Sequence, residues 1–160
     1  MIKFSDAVAI AIHSMITLAS DEERLHTNKE IATMFNISSE HLAKVLQRLH
    51  KAGLVETIRG PKGGFKLTKP ASQITLYDIY YEIEGEIRVH PCLFNKPVCA
   101  LERCIFGDYF TNIRAKIKTF LQKTTLAKIV KNNRRNLELL SRLLSENISS
   151  SSRLPKKRKE

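Results

Sequence analysis

Between residues 27 and 68 the chain sets out a short helix, a tight turn, a basic helix and a glycine-rich hairpin. Few folds accommodate that order. Thr27-Asn-Lys-Glu30 has the spacing of a capping box, in which the Thr and Glu side chains satisfy free N–H groups of a helix's first turn. A helix is expected over residues 28–35. Asn36-Ile37-Ser38 supplies a turn and a cap. Leu42, Val45, Leu46 and Leu49 then recur at i, i+3, i+4 and i+7, which leaves His41, Lys44, Gln47, Arg48 and Lys51 outward. Gly53 can close this helix in a left-handed conformation. Residues 54–58 and 65–68 read as two short strands on either side of the loop Arg59-Gly-Pro-Lys-Gly-Gly64. Together these elements predict a winged helix-turn-helix.

The flanks add helices. Ser5 to Leu18 places Val8, Ala11, Ile12, Met15 and Ile16 on one face, with Ser5 and Asp6 suited to the start. Thr75 to Ile83 repeats the capping pattern with Asp78. Residues 84–103 show no clean period and carry two prolines. Beyond them Phe106, Phe110, Ile113, Ile117, Phe120 and Leu121 alternate at four and three residues, a narrow stripe suited to a helix–helix seam; packing within one subunit is the alternative, and a symmetric dimer is favoured because a duplex-binding helix-turn-helix usually works as one. Asn132 to Ser145 has the pattern of a last amphipathic helix. The predicted fold class is mainly α with a small β-hairpin wing, plus a long dimerisation helix. The expected divisions are 1–84 for the DNA-binding domain, 85–105 for a cysteine loop and 106–130 for the dimerisation helix region. A C-terminal helix over 131–147 and a basic tail over 148–160 complete them.

Charge points the same way. The chain carries a net +11, and its last thirty residues hold nine basic side chains against three acidic ones. A basic balance favours a polyanionic partner. No apolar run reaches the roughly 18 to 20 residues that span a bilayer, and the N-terminus lacks the features of a secretory signal. A cytoplasmic protein without a membrane partner is expected. No enzyme is indicated, since there is no Ser-His-Asp arrangement and no phosphate-binding glycine loop leading into a helix.

A recognition helix presents side chains near its N-terminal end to base edges, while its flanks and the wing hold phosphates. Ser38, Ser39, His41 and Lys44 occupy such positions, and Lys44 can donate to guanine. Arg48 and Lys51 lie further along, where backbone contact is expected. Arg59 at the loop entrance suits the narrow minor groove. Thr27, Lys62 and Gly63 complete the expected DNA-binding set.

All three cysteines fall within thirteen residues, as Cys92-x6-Cys99-x4-Cys104. Their odd number argues against a set of structural disulfides. Clustered thiolates suit an iron–sulfur or zinc centre. Free redox-active thiols and inert buried cysteines remain alternatives from spacing alone.

The runs Glu30-Ile-Ala, Leu49-His-Lys-Ala-Gly-Leu-Val55 and Ile58-Arg-Gly-Pro-Lys-Gly-Gly-Phe-Lys-Leu67 resemble the IscR/NsrR family of bacterial winged-helix transcription regulators. The likeness continues through residues 74–85, the cysteine loop and 120–130, and so covers roughly residues 1–131. The resemblance implies a homodimer joined through the long helix and bound to a pseudo-palindromic operator. It also implies an iron–sulfur cluster on Cys92, Cys99 and Cys104. The histidine that IscR uses three residues past its last cysteine is Gly107 here, whereas Phe4-Ser-Asp6 is similar to the Phe-Thr-Asp of NsrR. Asp6 from the partner subunit is therefore the implied fourth ligand, and a 4Fe-4S cluster is favoured over 2Fe-2S. His90, Glu102 and Asp108 are further ligand candidates. Ala43 departs from the glutamate that the cluster-regulating member uses in operator discrimination. The resemblance thus implies a repressor whose cluster senses nitric oxide, redox state or iron–sulfur status. A regulator using zinc or thiol chemistry, or an iron–sulfur redox protein that does not bind DNA, is the alternative.

Overall fold

A computed structural model of the chain describes residues 4–88, 106 and 108–137. Helix α1 spans Asp6–Ser20, α2 Asn28–Phe35 and α3 Ser39–Lys51, followed by strands β1 Val55–Ile58 and β2 Gly64–Leu67. A 3₁₀ turn at Ala71–Gln73 leads to α4, Leu76–Glu84, and α5 covers Tyr109–Lys123. A further helix, α6, covers residues 126–137 of the described chain.

Helix α1 starts because Ser5, in extended conformation, accepts from the Val8 N–H, while Asp6 places a negative charge in the first turn. Val8, Ala11, Met15 and Leu18 are fully buried, so this helix runs through the core and is covered by α3, α4 and β2. The capping box at Thr27 forms with both bonds present, and a second forms at Thr75, where the Thr75 N–H donates to Asp78 Oδ2 at 2.8 Å. Helix α3 contributes Leu42, Leu46 and Leu49 to the core with no exposure. Burying each is worth about 1.5–3 kcal/mol. Those apolar contacts fix the face on which its polar residues stand.

The hairpin is antiparallel, with Val55 opposite Leu67 and Ile58 opposite Gly64. A third segment joins it. The His26 N–H donates to the Phe65 carbonyl at 3.1 Å, and the Phe65 N–H returns to the His26 carbonyl at 2.9 Å. The residue before the α2 cap is thereby tied to the wing.

The chain breaks between α5 and α6 at Thr124–Thr125, inside the region expected to be one dimerisation unit up to residue 130. The reason is pairing with the start of α4. The Leu76 N–H donates to the Thr124 carbonyl and the Leu126 N–H to the Ile74 carbonyl, both at 2.9 Å, which requires extended backbone. Thr125 Oγ1 then accepts from the Lys128 N–H and caps α6. The last helix therefore starts at residue 126, six residues ahead of the expected Asn132. Residues 138–147 of that expected helix, and the tail 148–160, lie outside the described residues. Among the described residues no helix is long and apolar enough to cross a membrane.

Candidate nucleic-acid interface

The turn between α2 and α3 is set by backbone geometry. Asn36 ends α2 in the left-handed region at φ 50°, a conformation that asparagine tolerates better than most residues, and the Ile37 N–H donates to the Ala32 carbonyl at 3.0 Å. Ser38 then caps α3, its Oγ accepting from the His41 N–H at 3.1 Å. Asn28 Nδ2 donates to the Ser39 carbonyl at 3.0 Å, which clamps the start of α2 to the start of α3. Asn28 was not among the expected site residues, and its reach across eleven positions has no local signature.

Ser39, His41, Lys44, Gln47 and Lys51 are exposed on the face of α3 opposite its leucines. Lys44 and Lys51 have no ion-pair partner among the described residues, and neither do Arg59 and Lys62 on the wing. Cations left unpaired in this way are available to phosphates. Gln47, one turn beyond Lys44, adds an amide of the kind that reads adenine. The heptad-like spacing that turned it outward was the signal for it. Glu40 is the one acidic residue on this face, in the first turn where the helix dipole favours it.

Arg48 does something other than the expected backbone contact. Its guanidinium donates to the carbonyls of Glu82 at 2.9 Å and Ile83 at 2.8 Å, closing the C-terminal end of α4. The side chain is already committed within the fold, so it acts by holding α3 against α4. Thr27 is likewise engaged in its capping box. Burial pushes the Glu30 carboxyl up, but the Thr27 N–H and hydroxyl, with Arg24 2.9 Å away, outweigh it and hold the carboxyl below its usual range.

In the wing, Gly60 takes φ 123° and its carbonyl accepts from the Gly63 N–H at 2.9 Å. A Cβ on Gly63 would lie 2.2 Å from the Ile58 carbonyl oxygen, so only glycine closes this turn. Gly63 thus shapes the loop that presents Arg59 and Lys62.

The expected metal ligands divide. Cys92, Cys99, Cys104, His90 and Glu102 lie outside the described residues. Asp6 is exposed at the start of α1, and the neighbouring Ser5 hydroxyl donates to Glu84 Oε1, so it stands beside the point where the chain leaves α4. Asp108 is exposed at the start of α5 and makes no capping bond. Among the described residues no three His, Cys, Asp or Glu side chains converge as a metal site.

The apolar stripe of α5 divides too. Leu121 is buried in the chain's own core and Ile117 packs against it. Phe110 and Ile113 are half-buried. Phe106 and Phe120 stay exposed, joined by Tyr109. The part expected to meet a partner is therefore narrower at its C-terminal end, where α4 already covers it.

A helix-turn-helix clamped by side-chain bonds, a glycine-closed wing and unpaired cations on both define a winged-helix DNA-binding regulator. The chain belongs to the Rrf2 family, described as iron-dependent transcriptional regulators, whose model matches residues 4–132. It is 36% identical over 141 residues to the transcriptional regulator NsrR of Oceanobacillus iheyensis, covering 86% of this chain and 94% of that one. Its fold is similar to CymR, the global cysteine regulator of B. subtilis, with a TM-score of 0.68, 31% identity and coverage of 82% of this chain and 98% of that one. It is also similar to IscR of T. potens, at 25% identity and a TM-score of 0.66, covering 81% of this chain and 87% of that one.

Proposed function

We propose that two copies of the chain bind a pseudo-palindromic operator as a cytoplasmic repressor, one α3 per half-site, and that an iron–sulfur cluster controls the affinity. The observation that carries the DNA-binding part is the set of unpaired cations on α3 and the wing. Ser39, His41, Lys44 and Gln47 read base edges, Lys51 and Lys62 hold phosphates, and Arg59 enters the minor groove. The seam between copies uses Phe106, Phe110, Ile113 and Phe120.

Cys92, Cys99 and Cys104 would hold a four-iron, four-sulfur cluster, with Asp6 of the partner subunit as fourth ligand. Such a group supplies iron that responds to nitric oxide, oxidants and iron–sulfur status. The donor set suits it: three soft thiolates and one exposed carboxylate with no hydrogen-bond or ion-pair partner among the described residues. A carboxylate is a harder and weaker ligand than a thiolate, so Asp6 is the ligand most easily released. Because α1 packs directly against α3, a change in how Asp6 is held reaches the recognition helix within one layer of side chains.

The test is anaerobic purification with a visible spectrum and iron and sulfide analysis, beside Asp6→Ala. Near four iron and four sulfide per subunit, lost or altered in the variant, with operator affinity differing between loaded and unloaded protein, is the expected result. A colourless protein that stays so after reconstitution leaves a DNA-binding regulator acting through zinc or thiol chemistry.

A further inference from the structure

Charge is divided unevenly along the described chain. Residues 4–88, which carry the helix-turn-helix and the wing, hold ten basic side chains against eleven acidic ones, so the head has no net positive charge of its own. Residues 109–137 hold eight basic side chains and no acidic one. A double helix carries about one negative charge per 1.7 Å of its axis. Within the described chain the general attraction for such a polyanion therefore comes from α5 and α6, while α3 and the wing supply only local cations.

Helix α6 carries half of that excess, in a regular pattern. Lys128, Lys131 and Arg135 recur at i, i+3 and i+7 and so share one face. All three are exposed, and none has an ion-pair partner among the described residues. On the opposite face Leu126 is fully buried, and Ile129 and Val130 pack against the core. The fold thereby fixes which way the cations point. It also takes up the apolar face that a helix lying on a lipid surface would need. Exposed Asn132 and Asn136 flank the cations with amide donors. At 1.5 Å per residue the stripe runs for about 10 Å, a length of duplex that carries about six phosphate charges.

Helix α6 also stands beside the helix-turn-helix. Lys131 and Arg134 line one cleft together with Arg24 and His26. The His26 backbone is bonded in both directions to Phe65 of the wing, and Thr27, the cap of α2, follows it directly. In a helix-turn-helix the first helix crosses the DNA backbone, so the cations of α6 lie next to the end of α2 where the duplex passes. We propose that the outer face of α6 is a second phosphate-binding surface, on which Lys128, Lys131 and Arg135 hold the backbone of duplex flanking the half-site. The proposal rests on the operator-binding reading. Contacts of this kind read no base, so they raise affinity and salt dependence alike for every flanking sequence.

The experiment uses the full chain and a duplex that it selects from a pool with a randomised centre of about 25 base pairs, enough for two half-sites one turn apart. Affinity is measured against salt for that centre alone and for the same centre extended by about 15 base pairs of mixed sequence on either side. The variant Lys128→Gln/Lys131→Gln/Arg135→Gln changes exposed positions to a good helix former. It should bind the extended duplex about tenfold more weakly than wild type at about 0.1 M salt. Its slope should be shallower by about three to five, for six cations in two subunits. On the short duplex the two proteins should agree within about twofold. Lys44→Ala should weaken both duplexes. If Lys44→Ala does so while the triple variant matches wild type on the extended duplex, the stripe is overturned and the operator reading stands. An equal loss on both duplexes overturns the assignment to flanking DNA. A dimer constant shifted in the triple variant, by sedimentation equilibrium, overturns it in favour of a seam between copies. Failure of wild type to select any duplex overturns both readings.

Discussion

The DNA-binding head and helix α5 are built to opposite standards of completeness. In residues 4–88 the apolar faces of four helices are covered within the chain, and Met15, Leu18, Ile31, Leu42, Leu46, Leu49, Ile74 and Ile79 have no exposure at all. Along α5 only Leu121 is buried, while Tyr109 is 60% and Phe120 62% exposed. The head closes its own core. Helix α5 carries aromatic side chains that stay exposed among the described residues, and on the proposed function these are the surface that meets a second copy. Position in the fold, more than hydrophobicity, separates residues that stabilise one subunit from those proposed to join two.

Substitutions on either side of that divide should behave differently. Leu46→Ala removes a side chain with no exposure and should destabilise the folded subunit by about 2–5 kcal/mol, read from urea unfolding. A loss below 0.5 kcal/mol would mean that the head is not the closed core described. Phe120→Asp should leave the unfolding of the separated subunit within about 0.5 kcal/mol. It should weaken dimerisation about 100-fold, or about 2.7 kcal/mol, by sedimentation equilibrium. An unchanged dimer constant would remove Phe120 from the seam. Arg48→Ala should cost about 1 kcal/mol of stability through two lost bonds to the end of α4. Its effect on the salt dependence of operator binding should be small, whereas Lys44→Ala and Lys62→Ala should each reduce the slope by about one phosphate contact. A reduced slope for Arg48→Ala would return that residue to the DNA.

The smallest effect concerns pH. His26 has its folded pKa below the unfolded value, so the unfolded chain takes up a proton first as pH falls. Its contribution to stability is complete above the unfolded value near 6.5 and is lost as pH falls toward the folded value. Unfolding free energy should therefore decline below about pH 6.5, and His26→Gln should flatten that part of the profile. An unaltered profile in the variant would assign the decline to other groups.

Much of the head was legible in the sequence because its signals are local. Both capping boxes, the α2–α3 turn and the hairpin about the Arg59–Gly64 loop each depend on residues within six positions of one another. The strands came within a residue of expectation, at Val55–Ile58 and Gly64–Leu67. The pairing of His26 with Phe65, the Arg48 bonds to α4 and the Asn28 clamp on α3 were not legible. Each joins positions that carry no matching pattern, and an arginine on a basic helix face gives no sign that it turns inward to a carbonyl. The α5 stripe was legible only in part. Its period was right, but periodicity states that a face is covered without stating by what, and α4 takes the Ile117 and Leu121 end. Of the candidate site, the outward faces of α3 and the wing were readable, whereas the cysteine ligands lie outside the described residues.

The pairing of Thr124 with the start of α4 bears on how such a protein can diversify. The strand-like contact joins residues 74–76 to 124–126, so the start of α4 and the end of α5 stand side by side and the stretch between them is closed at its two feet. Lengthening a closed excursion is thermodynamically cheap, about 0.6 kcal/mol for each doubling. Between the end of α4 and the start of α5, residues can be added, deleted or exchanged without changing the register of the head or the placement of α6. On the proposed function, the fold is a fixed reader with an interchangeable cassette, in which descent can swap one detected signal for another while the part that holds DNA is kept.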